Sequence, residues 1–156
     1  MKLTVSKLKI IVLLLLALTL IFIWTNSMQS RSESTKRSSQ VLELVADILE
    51  PVGIDVDTTD DRPIRKLAHF AEFFLLGAEL STLCLLYGMS SAQGFINSLS
   101  AGLAAAVTDE TIQNFSNRGS SVADVLLDFS GVLAATAAVW LIYRLKSKRN
   151  NRTNPS

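Results

Sequence analysis

Leu8–Trp24 reads LKIIVLLLLALTLIFIW, an almost unbroken apolar run. A helix rising ~1.5 Å per residue over this stretch nearly crosses a ~30 Å hydrocarbon core. Leu67–Met89 is a second run, broken by His69, Glu72 and Glu79. Ala92–Val107 is a third, short and rich in small residues, and Ala123–Leu145 a fourth, broken by Asp124 and Asp128. The pattern predicts an all-α, polytopic membrane helix bundle with four transmembrane helices. The whole chain agrees: 49% of its 156 residues are hydrophobic, 19% are charged and the mean hydropathy is +0.34. A charged share below the ~25% of a soluble domain argues against disorder and against nucleic acid as a partner, and for the lipid bilayer. With 15 basic and 14 acidic side chains, net charge singles out no ligand. The single cysteine, Cys84, excludes an internal disulfide, and the single histidine, His69, excludes a multi-His metal centre within one chain.

Basic residues set the expected orientation. Lys2, Lys7 and Lys9 flank the first run, and Arg144, Lys146, Lys148, Arg149 and Arg152 follow the last. Both termini are therefore expected in the cytoplasm, with 25–66 and the connection at 113–122 outside. Arg31, Lys36, Arg37 and Arg62 in the outer segment run against the rule. Residues 1–27 read as a retained anchor helix rather than a cleaved signal peptide, because the run is long and Thr25-Asn26-Ser27 is a poor cleavage site. Residues 28–63 form an extracytoplasmic linker with an amphipathic helix, 64–146 the membrane core, and 147–156 a basic tail. Within the outer segment, the Ser-rich stretch 25–39 predicts a flexible linker. Ser39 is expected to cap a short helix carrying Val41, Leu42, Leu44, Val45, Ile48 and Leu49 on helical spacing, ended by Pro51 and Gly53. Asp55, Asp57, Asp60 and Asp61 form an acidic loop without the glycine and distal glutamate of an EF-hand, so it reads as solvated.

Polar residues inside the apolar runs mark the candidate site. Arg65, His69, Glu72 and Glu79 follow one another at spacings of four, three and seven, which places them on one helix face. Asp109 and Gln113, with Glu110 beside them, do the same in the third span, as do Asp124, Asp128 and Gly131 in the fourth. A charge at the bilayer centre costs about 2.5–3.5 kcal/mol, so these stripes must face one another or a wet cavity. Glu72, Asp109, Glu110, Asp124 and Asp128 stand against Arg65, Lys66 and Arg118, an excess of acid that calls for a proton, a cation or a cationic partner. Crowded, half-buried carboxylates suit proton transfer. Glu79 lies deeper and needs a proton or a polar neighbour such as Asn97. Gly94, Ser98, Gly102 and Ala106, and Ser130, Ala134 and Ala138, recur every four residues and let helix backbones approach closely in lipid.

Two of these stretches resemble a known family. Arg65-Lys66-Leu67-Ala68-His69-Phe70-Ala71-Glu72-Phe73 is similar to the first signature of VanZ-like membrane proteins. Asp109-Glu110-x-x-Gln113-x-Phe115, then Arg118, then Asp124-Val125-Leu126-Leu127-Asp128 with Gly131, is similar to the second. The resemblance covers roughly residues 62–145. Phe73 stands where the family often has Tyr, Ser116-Asn117 where Pro-Gly is common, and Asp128 where Asn is frequent. The family takes its name from a protein linked to teicoplanin resistance. The resemblance thus implies an integral membrane protein of the bacterial cell envelope, with a link to glycopeptide resistance through a lipoglycopeptide partner or an altered outer surface. It also implies a polar site built from Arg65, His69, Glu72, Asp109, Glu110, Gln113, Arg118 and Asp124.

Two other readings stand beside it. In a membrane-embedded enzyme acting on a lipid-linked or phosphate-bearing envelope precursor, Arg65, Lys66 and Arg118 would hold the anion. His69 with Glu72 or Asp109 would be the catalytic proton carriers, and Glu110, Gln113, Asp124 and Asp128 would complete the binding site. No metal is assigned, although Asp109, Glu110 and Asp128 form an oxygen set that a divalent cation would accept. In the third reading the same residues are a structural network joining three helices. No cofactor motif is present: there is no P-loop, dinucleotide-binding glycine motif or nucleophile elbow.

Overall fold

The computed structural model describes residues 4–53, 57–116, 119 and 121–153, with side chains to 149. The helices are α1 (Val5–Ser27), α2 (Arg31–Leu49), α3 (Arg62–Leu86), α4 (Ser91–Phe115) and α5 (Val122–Thr153), with a 3-10 turn at Glu50–Val52 and no strand among the described residues. The chain is all-α, as its hydropathy predicts. Three helices, α1, α3 and the Val122–Arg149 part of α5, are long and apolar enough to cross a membrane. At 25 residues α4 is as long as α3, but its small and polar residues keep it out of that group.

The helices alternate in direction. Ser27 at the end of α1 meets Asp109 near the end of α4, while His69 near the start of α3 meets Asp128 near the start of α5. At the opposite end, Lys9 of α1 lies 4.3 Å from the ring centre of Tyr87, the residue that closes α3. Ile23, Phe73, Leu76, Ala105, Ala106 and Val132 form the apolar core shared by these four helices. Outside it, Leu14, Leu18, Leu75, Ile96, Leu103, Leu133 and Leu141 are exposed, an apolar girdle suited to lipid.

Small residues set the helix spacing. A methyl group at Gly77 would lie 2.8 Å from the Val132 backbone, and one at Gly131 2.5 Å from the Phe70 carbonyl, so α3 and α5 touch backbone to backbone. Along α4 the every-fourth-residue stripe Gly94, Ser98, Gly102 and Ala106 is buried, with Gly94 against the Trp140 ring and Gly102 against the Val132 side chain. Hydroxyls bridge the same interfaces, as where Ser81 donates to Thr136 at 3.2 Å with both fully buried. Glu79 finds its polar neighbour in α1, accepting from the Thr19 hydroxyl at 3.0 Å. The expected partner, Asn97, instead reaches the Met89 sulfur at 3.4 Å.

The segment that follows α1 is more ordered than its composition predicts. The helix expected to start at Ser39 starts at Arg31, because Ser30 and Glu33 form a capping box. Ser30 donates to the Glu33 carboxylate through its hydroxyl at 3.0 Å and its backbone N–H at 3.1 Å. Ser38 donates back to the Ser34 carbonyl and also bonds Asp61, tying α2 to the start of α3. The Ser30 bonds hold the Glu33 carboxyl below its ordinary value of 4.5. A depressed folded value means the cap contributes fully above pH 4.5 and is lost as pH falls through the lower folded value. Hydrogen exchange at the first-turn amides of α2 is expected to show protection at neutral pH that Glu33→Gln weakens and acid removes.

Candidate functional site

Four helices converge on one polar cluster. Its centre is His69 Nδ1, which lies 4.0 Å from Glu72 Oε2, 4.0 Å from Asp109 Oδ2 and 3.9 Å from Asp128 Oδ1. The sequence spacing explains the convergence: His69 and Glu72 share one face of α3, and the small-residue contacts bring α4 and α5 close enough for Asp109 and Asp128 to meet them. Asp109 and Asp128 are 0% and 1% exposed. Asp109 is tightly held, accepting from Ser27 Oγ at 2.5 Å and from Gln113 Nε2 at 2.7 Å. Glu72 accepts from Asn26 Nδ2 at 3.1 Å. Asp128 differs, since neither of its oxygens accepts a hydrogen bond from any described residue.

Glu110, buried like Asp109, has a different role. Its Oε2 accepts the Ser121 backbone N–H at 3.0 Å, pinning the connection between α4 and α5. It also lines a cavity of about 280 Å³ together with His69, Gln113 and Asp128. The open side of that cavity carries Arg31, Arg62, Arg65 and Lys66, and Asp124 of α5 sits half-buried in its wall. Arg62 is held by Asp60 at 2.8 Å and Arg65 by Asp61 at 3.5 Å. The Arg62 hydrogen bonds keep the Asp60 carboxyl below its ordinary value of 3.8. Arg31 and Lys66 have no ion-pair partner among the described residues and face solvent.

His69, Glu72, Asp109, Gln113 and Asp128 therefore come together, and Arg65, Lys66, Glu110 and Asp124 share the adjoining cavity. Arg118 and Asp55 lie outside the described residues. Sequence reading missed Thr19, Asn26, Ser27 and Arg31. Thr19, Ile23 and Ser27, all buried, repeat every four residues, so a polar edge on an otherwise apolar anchor was the available signal. Arg31 enters the sequence reading only through its charge, not as a site residue, because its stretch reads as linker.

The arrangement juxtaposes an imidazole and three carboxylates beside a cationic opening. It can exchange protons, and it can hold a group that is anionic at one end. A family model described as VanZ/LLP1 matches residues 10–144, so the match takes in α1 as well as the helices that carry the two signatures. No curated protein and no solved structure matches the chain.

Proposed function

The chain belongs to the VanZ/LLP1 family, and on that premise we propose that it is a multi-pass protein of the bacterial plasma membrane whose outer-side pocket takes the phosphate-bearing headgroup of a lipid-linked envelope molecule. The observation that carries this reading is the pairing, in one cavity, of Arg31 and Lys66, two cations without a counter-ion among the described residues, with the His69–carboxylate cluster. Guanidinium and ammonium donors suit phosphate oxygens. An imidazole beside carboxylates suits proton exchange with whatever is held there. In this reading α4 also crosses the membrane, as the third of four spans. Its acids are buried while Ile96, Leu103 and Val107 face outward, which supports that placement. The basic flanks put both termini in the cytoplasm. Thr58→Cys, with buried Cys84 the only other thiol, is expected to be labelled by an impermeant maleimide from outside. Labelling only from the cytoplasmic side inverts the topology.

The decisive experiment is native mass spectrometry of the full-length protein in membrane discs drawn from its own cells. A phosphate-bearing envelope lipid should co-purify and be depleted about tenfold or more in Arg31→Ala/Lys66→Ala, the equivalent of one lost charge-assisted hydrogen bond. An identical lipid profile in wild type and variant refutes the headgroup reading. The purely structural alternative is read from His69→Ala: retained abundance and melting temperature with altered lipid retention counts against it. The link to teicoplanin is read separately from the drug susceptibility of a deletion strain, where unchanged susceptibility removes it.

A further inference from the structure

Asp128 is the least explained buried group in the molecule. It is 1% exposed, points at His69 from 3.9 Å, and neither carboxylate oxygen accepts a hydrogen bond from a described residue. An unsatisfied carboxylate buried among apolar helices costs several kcal/mol, and helices already joined by small-residue packing have no need of it. Two further carboxylates face the same imidazole nitrogen at 4.0 Å. Those separations exceed hydrogen-bond length. They are the separations of atoms that share an ion: two ligands each ~2.1 Å from one metal lie ~3–4.2 Å apart.

We propose that His69, Asp109 and Asp128, with Glu72 beside them, form a binding site for one divalent first-row metal ion of the Mn2+ or Zn2+ class. His69 Nδ1 and one oxygen from each aspartate lie within 4.8 Å of one another. One imidazole nitrogen with two or three carboxylate oxygens is a donor set that both ions accept, and it leaves coordination positions open toward the cavity. Ser27 and Gln113 hold the two oxygens of Asp109, and Asn26 holds Glu72, fixing the orientation of those two carboxylates before an ion arrives. A divalent cation also balances most of the negative charge that the buried Asp109 and Asp128 and the half-buried Glu72 bring together. Glu110, whose Oε2 accepts from Ser121, is not in the group of atoms that lie within 4.8 Å of one another. The ion site stands on the cluster alone and does not require the headgroup reading.

The test uses full-length protein in lipid nanodiscs, free of any histidine tag, stripped with EDTA and titrated with Mn2+ alone. Loss of the free-ion resonance should report about one ion per chain, displaced by Zn2+. His69 is the only histidine, so pulsed resonance on the bound Mn2+ should show a single imidazole nitrogen without any variant being needed. Asp128→Asn should weaken binding more than 100-fold, and Ser27→Ala, which removes only an orienting bond, about 10–100-fold. Lys36→Ala, at an exposed position of α2 outside the cluster and its cavity, should bind Mn2+ as wild type does. Stoichiometric binding of neither ion, absence of the nitrogen signature, or an Asp128→Asn protein that binds as tightly as wild type overturns the proposal. Failure of ion binding with lipid retention intact removes the ion site and leaves the headgroup reading. Ion binding with no headgroup retention does the reverse.

Discussion

Gly131→Leu is expected to prevent the chain from accumulating as a folded protein, and Gly77→Leu to do nearly the same. At both positions the obstacle is main chain. A Cβ on Gly131 would sit 2.5 Å from the Phe70 carbonyl oxygen and 3.0 Å from the Phe74 nitrogen, and one on Gly77 2.8 Å from Val132 Cα. Backbone inside a helix cannot swing aside, so α3 and α5 must separate and give up the packing of Phe73, Leu76 and Val132. Overpacking a core costs about 1–3 kcal/mol where side chains can adjust, and a leucine between two backbones reaches or passes the top of that range. Gly94→Ala is the internal comparison. Its Cβ meets the Trp140 ring, a side chain near the end of the bundle, and should cost less. Melting temperature and the monodisperse fraction in detergent check this. A Gly131→Leu protein as stable as Gly94→Ala would mean that α3 and α5 do not meet as described.

The second large effect is expected at Asp109. Ser27→Ala combined with Gln113→Leu removes both donors from a carboxylate that is 0% exposed. Bonds to a charged group contribute about 1.5–3 kcal/mol each in water-soluble proteins. Interhelical hydrogen bonds in membranes average about 0.6 kcal/mol with a maximum near 1.7. The double variant should therefore lose about 1–3 kcal/mol, more than either single change. Adding Asp109→Asn should recover part of the loss, because a neutral amide is cheaper to strand than a carboxylate. Thermal unfolding of the series checks this. A triple variant less stable than the double would show that Asp109 is held by something other than these two donors.

The spans and the cluster were legible for different reasons. Apolar runs and i, i+3, i+4 spacing decide which face of a helix is polar, so His69, Glu72, Asp109 and Asp128 could be grouped before any coordinates. Energetics then forced them inward. The partners of each acid depend on rotation and depth of the helices, which spacing leaves open. Glu79 was paired in expectation with Asn97 and is bonded to Thr19. The beginning of α2 was misplaced for a local reason: a Ser-rich stretch has the composition of a linker, while Ser30 and Glu33 encode a helix start inside it. The α1 contribution was invisible to a reading that treated an apolar helix as an anchor. Asn26 and Ser27 sit at the end of an apolar helix, a place where polar residues carry no information on their own.

That contribution has a practical corollary for anyone building chimeras. Ile23 and Ser27 are completely enclosed, and Thr19, Asn26 and Ser27 each bond an acid from another helix. Replacing residues 5–27 with an unrelated apolar helix of equal length would leave three acids short of a donor. α1 is thus a wall of the polar cluster as well as an apolar helix.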